Sequence, residues 1–173
     1  SPLSSVPGRR AGNVLTIGEP FAPLMSIPES LNKEHLHLHE VLKRAVKEEG
    51  ALGEAARALM DVLHPHFEKE QEIALPPLGM LTLSDDVPKG DIEGVIALTD
   101  RFRQELPRML EEHVAITERL EALSREARKV EKAEYSDFAE SLRHHAKIEE
   151  EVMYPASLLV GSYLRLWRSG KKS

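Results

Sequence analysis

The chain has 173 residues, a net charge of −6 at pH 7, and 41% hydrophobic and 30% charged residues. That length suits one domain with a sizeable core. The acidic balance speaks against nucleic acid, which asks for a concentrated basic face, and the total lack of Cys excludes disulfides, thiolate metal sites and cysteine nucleophiles.

Aromatic residues are only 5% of the chain, while Ala, Leu, Glu, Lys and Arg are abundant, a balance that favours helices. Residues 1–28 are rich in Ser, Pro and Gly and read as an irregular N-terminal arm that packs on the rest through Phe21, Leu24 and Met25. The apolar stretch Val14 to Ile27 is interrupted by Gly18, Glu19, Pro20 and Pro23, so it reads neither as a signal peptide nor as a membrane span. No membrane partner is expected, and cytoplasmic is the default location.

Residues 29–169 read as one all-α domain. A first helix runs from about Pro28 to Glu49, with Gly50 as its stop signal. A second runs from about Leu52 to Leu75 and ends at Pro76-Pro77; Pro65 inside it removes one backbone donor and is expected to kink it. Leu78 to Gly90 reads as a connector. Asp91 is placed to cap a helix that reaches about Leu106 and joins a third long helix from Pro107 to Val130. A fourth runs from about Tyr135 to Arg168, with Pro155 bending it late. Four amphipathic helices with short or moderate connectors predict an up-down four-helix bundle.

The sequence repeats itself. His66 to Pro76 aligns with His145 to Pro155, placing His, Glu, Glu and Pro in the same columns, and Glu34-His35 aligns with Glu112-His113. Each half is then a hairpin with one His on its first helix and His-x-x-x-Glu on its second. Residues four apart share a helix face, so His66 with Glu70, and His145 with Glu149, point together. That face is the buried one by its 4-3-4-3 rhythm: Leu31, His35, Leu38, Leu42, Ala45; Leu59, Leu63, His66, Glu70, Ile73; Met109, His113, Ile116, Leu120, Leu123; Phe138, Leu142, His145, Glu149, Val152.

A lone His on such a stripe is ordinarily a core residue, but four His and two Glu in register call for another account. Two bare carboxylates are costly to bury side by side. Two metal cations remove that cost and accept neutral imidazoles, and a nitrogen and oxygen set without sulfur suits iron, manganese or zinc. Ferritin-like di-iron bundles use Glu-x-x-His, the opposite order and spacing.

The doubled pattern of His followed by His-x-x-x-Glu resembles the hemerythrin and HHE cation-binding family over about residues 31–160. The resemblance implies a hemerythrin-like bundle and a non-haem di-iron centre, oxo- or hydroxo-bridged, with Mn or Zn as the other metals to consider. His35, His66, His113 and His145 match its terminal ligands, and Glu70 and Glu149 its bridging carboxylates. Oxygen carriers of this kind have a fifth His one turn after the ligand on the third helix; here that position is Thr117, and the equivalent in the first half is His39, the candidate fifth ligand. If each hairpin supplies one iron, His35 and His66 hold one and His113 and His145 the other, and His39 would close the first. His37, His64 and His144 fall off the inward face, and Glu34 and Glu112 are read mainly as surface residues, a hydrogen bond to a neighbouring ligand's free ring nitrogen being the alternative.

Two functions follow from the resemblance. One is a module that binds or senses O2, NO or iron. The other is a di-iron enzyme for peroxide or NO reduction, oxidase chemistry or iron–sulfur repair, the last weakened by the absence of Cys. The expected partners are therefore a small diatomic molecule or peroxide, and any signalling output comes through another protein.

Overall fold

The computed structural model describes residues 27–82 and 91–170, and among them every regular element is helical. The expected arm, apart from Ile27 and Pro28, lies outside the described residues, together with its anchors Phe21, Leu24 and Met25.

Helix α1 spans Glu29–Val46, with Glu29 in its first turn and Lys43 and Arg44 in its last, the charge order that complements a helix dipole. It buries His35, Leu38, Val41, Leu42 and Ala45. The chain reverses through Gly50, whose φ of +66° lies in the left-handed region that a side chain would strain. Helix α2, Gly50–Lys69, buries Leu52, Ala56, Leu59, Leu63, His66 and Phe67 and stays α-helical through Pro65.

From Glu70 to Ala74 the helix widens into a π turn, closed by a bond of 2.9 Å from Leu75 N–H to the Glu70 carbonyl. A 3-10 helix, Pro76–Thr82, follows in place of the first half of the expected connector. Prolines at its start supply a fixed φ and need no donor.

Helix α3 is one rod of 38 residues, Ile92–Lys129, uninterrupted at Pro107. Asp91 caps it as the sequence suggested, accepting from Gly94 N–H at 2.8 Å. A short turn leads to α4, Ala133–Ile148. A second π turn, Glu149–Met153, joins α4 to α5, Tyr154–Gly170, so the expected fourth helix is present but re-phased in the middle. No helix among the described residues is long and apolar enough to cross a membrane.

In contact, α2 lies between α1 and α3, and α4 lies between α3 and α1. α5 continues along α3 and covers the 3-10 helix. The close crossing of α5 on α3 needs Gly161, since a Cβ there would sit 1.9 Å from Thr99 Oγ1.

The main apolar core holds Leu42, Leu59, Leu63, Leu120, Leu123 and Leu142 among others. A second cluster of Ile73, Ala74, Phe102, Met109 and Tyr154 lies further along the same helices. Between the two, on each of α1 to α4, comes the polar layer. Hydrophobic packing on both sides fixes the helices that carry it.

Candidate metal centre

His35, His66, His113, His145, Glu70 and Glu149 are all buried, none more than 3% exposed. They converge from the four helices into two groups, His66, Glu70, His113 and Glu149 on one side and His35, His145 and Glu149 on the other, the ligand atoms of each lying within 4.8 Å of one another.

The imidazoles pair across the hairpins rather than within them, a correction to the expected division. His35 Nε2 is 2.9 Å from His145 Nε2, and His113 Nε2 is 2.9 Å from His66 Nε2. The reason lies in the α1–α2 seam. Phe67 stacks on His35 with ring centres 4.4 Å apart and an angle of 8°, filling the space that a pairing of His35 with His66 would need.

Glu149 belongs to both groups and Glu70 to one. Glu149 Oε1 is 2.6 Å from His145 Nε2 and 3.4 Å from His35 Nε2, while its Oε2 is 3.3 Å from His113 Nε2. Glu70 Oε1 is 3.2 Å from His66 Nε2, and its Oε2, 3.8 Å from His35 Nε2, is buried with no hydrogen-bond partner.

Outer carboxylates set the tautomers. His66 Nδ1 faces Glu112 Oε2 at 2.7 Å and His113 Nδ1 faces Glu150 Oε1 at 2.9 Å. Glu34 Oε1 lies 3.1 Å from His145 Nδ1, close enough for attraction but off the line that a hydrogen bond needs. Glu112 is itself gripped by Lys69 at 2.5 Å. With the proton drawn to Nδ1, Nε2 of His66 and of His113 presents a lone pair inward, an orientation common in metal sites.

Tyr154, 1% exposed, donates to Glu70 Oε1, and its hydroxyl lies 3.2 Å from His113 Nε2 and 3.5 Å from His66 Nε2. Burial, followed by the charges of Glu70 and Glu149, pushes its pKa far up, so it remains a donor.

The interior thus brings together four imidazole nitrogens, two carboxylates and one hydroxyl, a set rich in acceptors. A cation is the missing partner, and the orphaned Glu70 oxygen shows the same deficit; the donor set fits a metal. Protons respond to it as well. Burial works to lower His113, but contact with Glu149 and Glu70 outweighs it and raises the group to about 10. His145 is raised to about 9 against the same desolvation, chiefly by Glu149. Glu149 is itself held well below the usual carboxylate range, burial being outweighed by its bonds to His113, His145 and His35.

His39 is not brought to the cluster. It is half-buried, its ring 5.6 Å from that of His64, and burial with Lys43 and His64 lowers its pKa. The inward stripe of α1 passes from His35 through Leu38 and Leu42, on the other side of His35 from His39, so one turn along leads to the seam with α2. Val152, expected on the stripe, is 59% exposed. The π turn explains it, because i to i+5 bonding places Tyr154 over Glu149 and gives Tyr154 the inward position. A 3.6-residue rhythm carries no sign of that. Glu150 carries no signal of its own inside the run Glu149-Glu150-Glu151; Glu112 turns to His66, and Glu34 is exposed as the sequence suggests, though near His145.

The arrangement defines a class: a helical protein with a buried, sulfur-free histidine and carboxylate cluster suited to metal cations. The chain belongs to the hemerythrin HHE cation-binding domain family, whose profile matches residues 26–157. No curated protein sequence and no solved structure gives a significant match.

Proposed function

We propose that His35, His66, His113, His145, Glu70 and Glu149 hold two metal ions, iron foremost, inside an up-down four-helix bundle, and that the protein binds or senses O2, NO or iron there. The observation that carries this reading is the pair of ligand groups sharing Glu149, with Glu70 Oε2 left unpaired between them. Iron held by these residues would supply the electrons for binding a small diatomic molecule.

The chain's own residues prepare the place. Glu112 and Glu150 hold protons at Nδ1 of His66 and His113, which keeps Nε2 free. Tyr154 orients Glu70. Phe67 on one side and Phe102 with Met109 on the other keep bulk water from the layer. His39 stands outside the ligand set in this reading.

The Tyr154 hydroxyl favours a second reading, a di-iron enzyme acting on peroxide or NO, because it is a buried hydrogen-bond donor beside the cluster. Metal analysis, with the visible spectrum of anaerobically reduced protein before and after air, tests the first reading. Two irons per chain and a new, reversible charge-transfer absorption are expected; zinc or no metal in a folded chain overturns it. Steady peroxide consumption, rather than a single bleaching, selects the enzyme.

A further inference from the structure

Outside the buried layer the seam between α1 and α2 opens into a cavity of about 170 Å³. His39, His64 and Glu68 line its walls, and His35 and Phe67 also border it. His64 Nε2 is 3.2 Å from Glu68 Oε1, both largely exposed, and the His39 ring stands 5.6 Å from that of His64. This outer set repeats the spacing of the inner one, since His64-x-x-x-Glu68 sits two residues before His66-x-x-x-Glu70, and His39 one turn after His35. From the sequence, His64 falls off the inward face, and His39 is the candidate fifth ligand that the family resemblance suggests.

The pseudo-symmetric positions of the second half differ. His64 corresponds to Arg143, Glu68 to Lys147 and His39 to Thr117. There two cations, paired with Glu121 and Glu151, occupy the register that on the first half offers imidazole and carboxylate. The two sides of the layer therefore differ in what they offer a cation: imidazole and carboxylate donors on the first half, ion-paired Arg143 and Lys147 on the second.

We propose that His39, His64 and Glu68 form an outer capture site for a divalent metal ion and that the ion passes along this cavity, beside Phe67, to the His35 side of the buried centre. The inference rests on the metal reading above. Imidazole and carboxylate donors give a borderline cation a stepwise exchange of its water, and the carboxylate attracts it. Phe67, stacked on His35 at the inner end, separates the exposed donors from the buried ones, so passage requires that ring to move.

Cobaltous ion tests this through its visible ligand-field absorption in stopped flow, using the full chain stripped of metal. The double substitution His64→Arg with Glu68→Lys, which copies the second half, is expected to slow uptake about ten-fold, the low end of what charge steering contributes to association. The amount of cobalt bound at equilibrium is expected to stay at the parent value, and circular dichroism confirms folding. An unchanged rate overturns the capture site. Loss of one bound cobalt in His39→Asn also overturns it, by making His39 a ligand. A folded parent chain that takes up no cobalt overturns the metal reading itself.

Discussion

In the first hairpin the position after the inner glutamate is Gln71, and the position nine past the histidine is Leu75; in the second they are Glu150 and Tyr154. Phe67 on the first corresponds to Ala146 on the second. The six inward residues are duplicated, and both glutamates start a π turn. What surrounds them is not duplicated. Tyr154 and Glu150 both serve the group containing His66 and His113, whereas the His35 and His145 group borders the cavity through His35 and has Phe67 against it. The repeat fixes where donors stand, and divergence makes the two groups unequal: one tightly hydrogen-bonded, the other nearer solvent.

The comparison is broken most severely at the glutamates. Glu149 belongs to both groups and Glu70 to one. Glu149→Ala is expected to abolish metal binding, whereas Glu70→Ala leaves one ion per chain in elemental analysis. Equal losses would remove the asymmetry.

The outer carboxylates come next. Glu112→Gln is expected to weaken metal binding by about 10- to 100-fold, as supporting partners of ligand histidines do. Glu34→Gln should have a smaller effect, because Glu34 is 48% exposed and off-line from His145 Nδ1. Competition with a chelator measures both.

Tyr154→Phe leaves the Glu70 carboxylate without its only hydroxyl donor among the described residues. A loss of about 1–3 kcal/mol in the metal-free protein is expected by urea unfolding, the cost of an unsatisfied buried acceptor.

The smallest effect is one of pH. His113 and His145 have folded-state values raised to about 10 and about 9, above the ordinary 6.5 of the unfolded chain. Their stabilising contribution is complete below about 6.5 and is lost as pH rises through 9 to 10. The Tm of the metal-free chain is expected to fall over that alkaline range, and metal loading, which needs neutral imidazoles, should flatten the fall.

How far the sequence reached differs by residue. The four histidines and two glutamates were legible because an α-helix repeats its face every three or four residues, and polar residues on an apolar stripe stand out. The Asp91 cap was legible because it depends on a few neighbouring atoms, as was a turn near Gly50, although α1 ends earlier, at Val46, and Gly50 opens α2. Tyr154 was not, because the π turn inserts a residue into the rhythm and brings i+5 where i+3 or i+4 was due. Glu34 keeps to the surface at 48% exposure, whereas Glu112 meets His66, because whether a helix flank meets water or a neighbour's histidine depends on the next helix.

By itself, then, the sequence determined the long helical stretches, their inward faces up to the π turns and the inner donor set, since all of these follow from periodicity along one chain. Only the tertiary structure decided that His35 pairs with His145 and His66 with His113, that Tyr154 joins them, and that His39 faces a cavity. Those outcomes turn on side chains from different helices competing for one volume, as Phe67 does against His35, and no local pattern records which of them fills it.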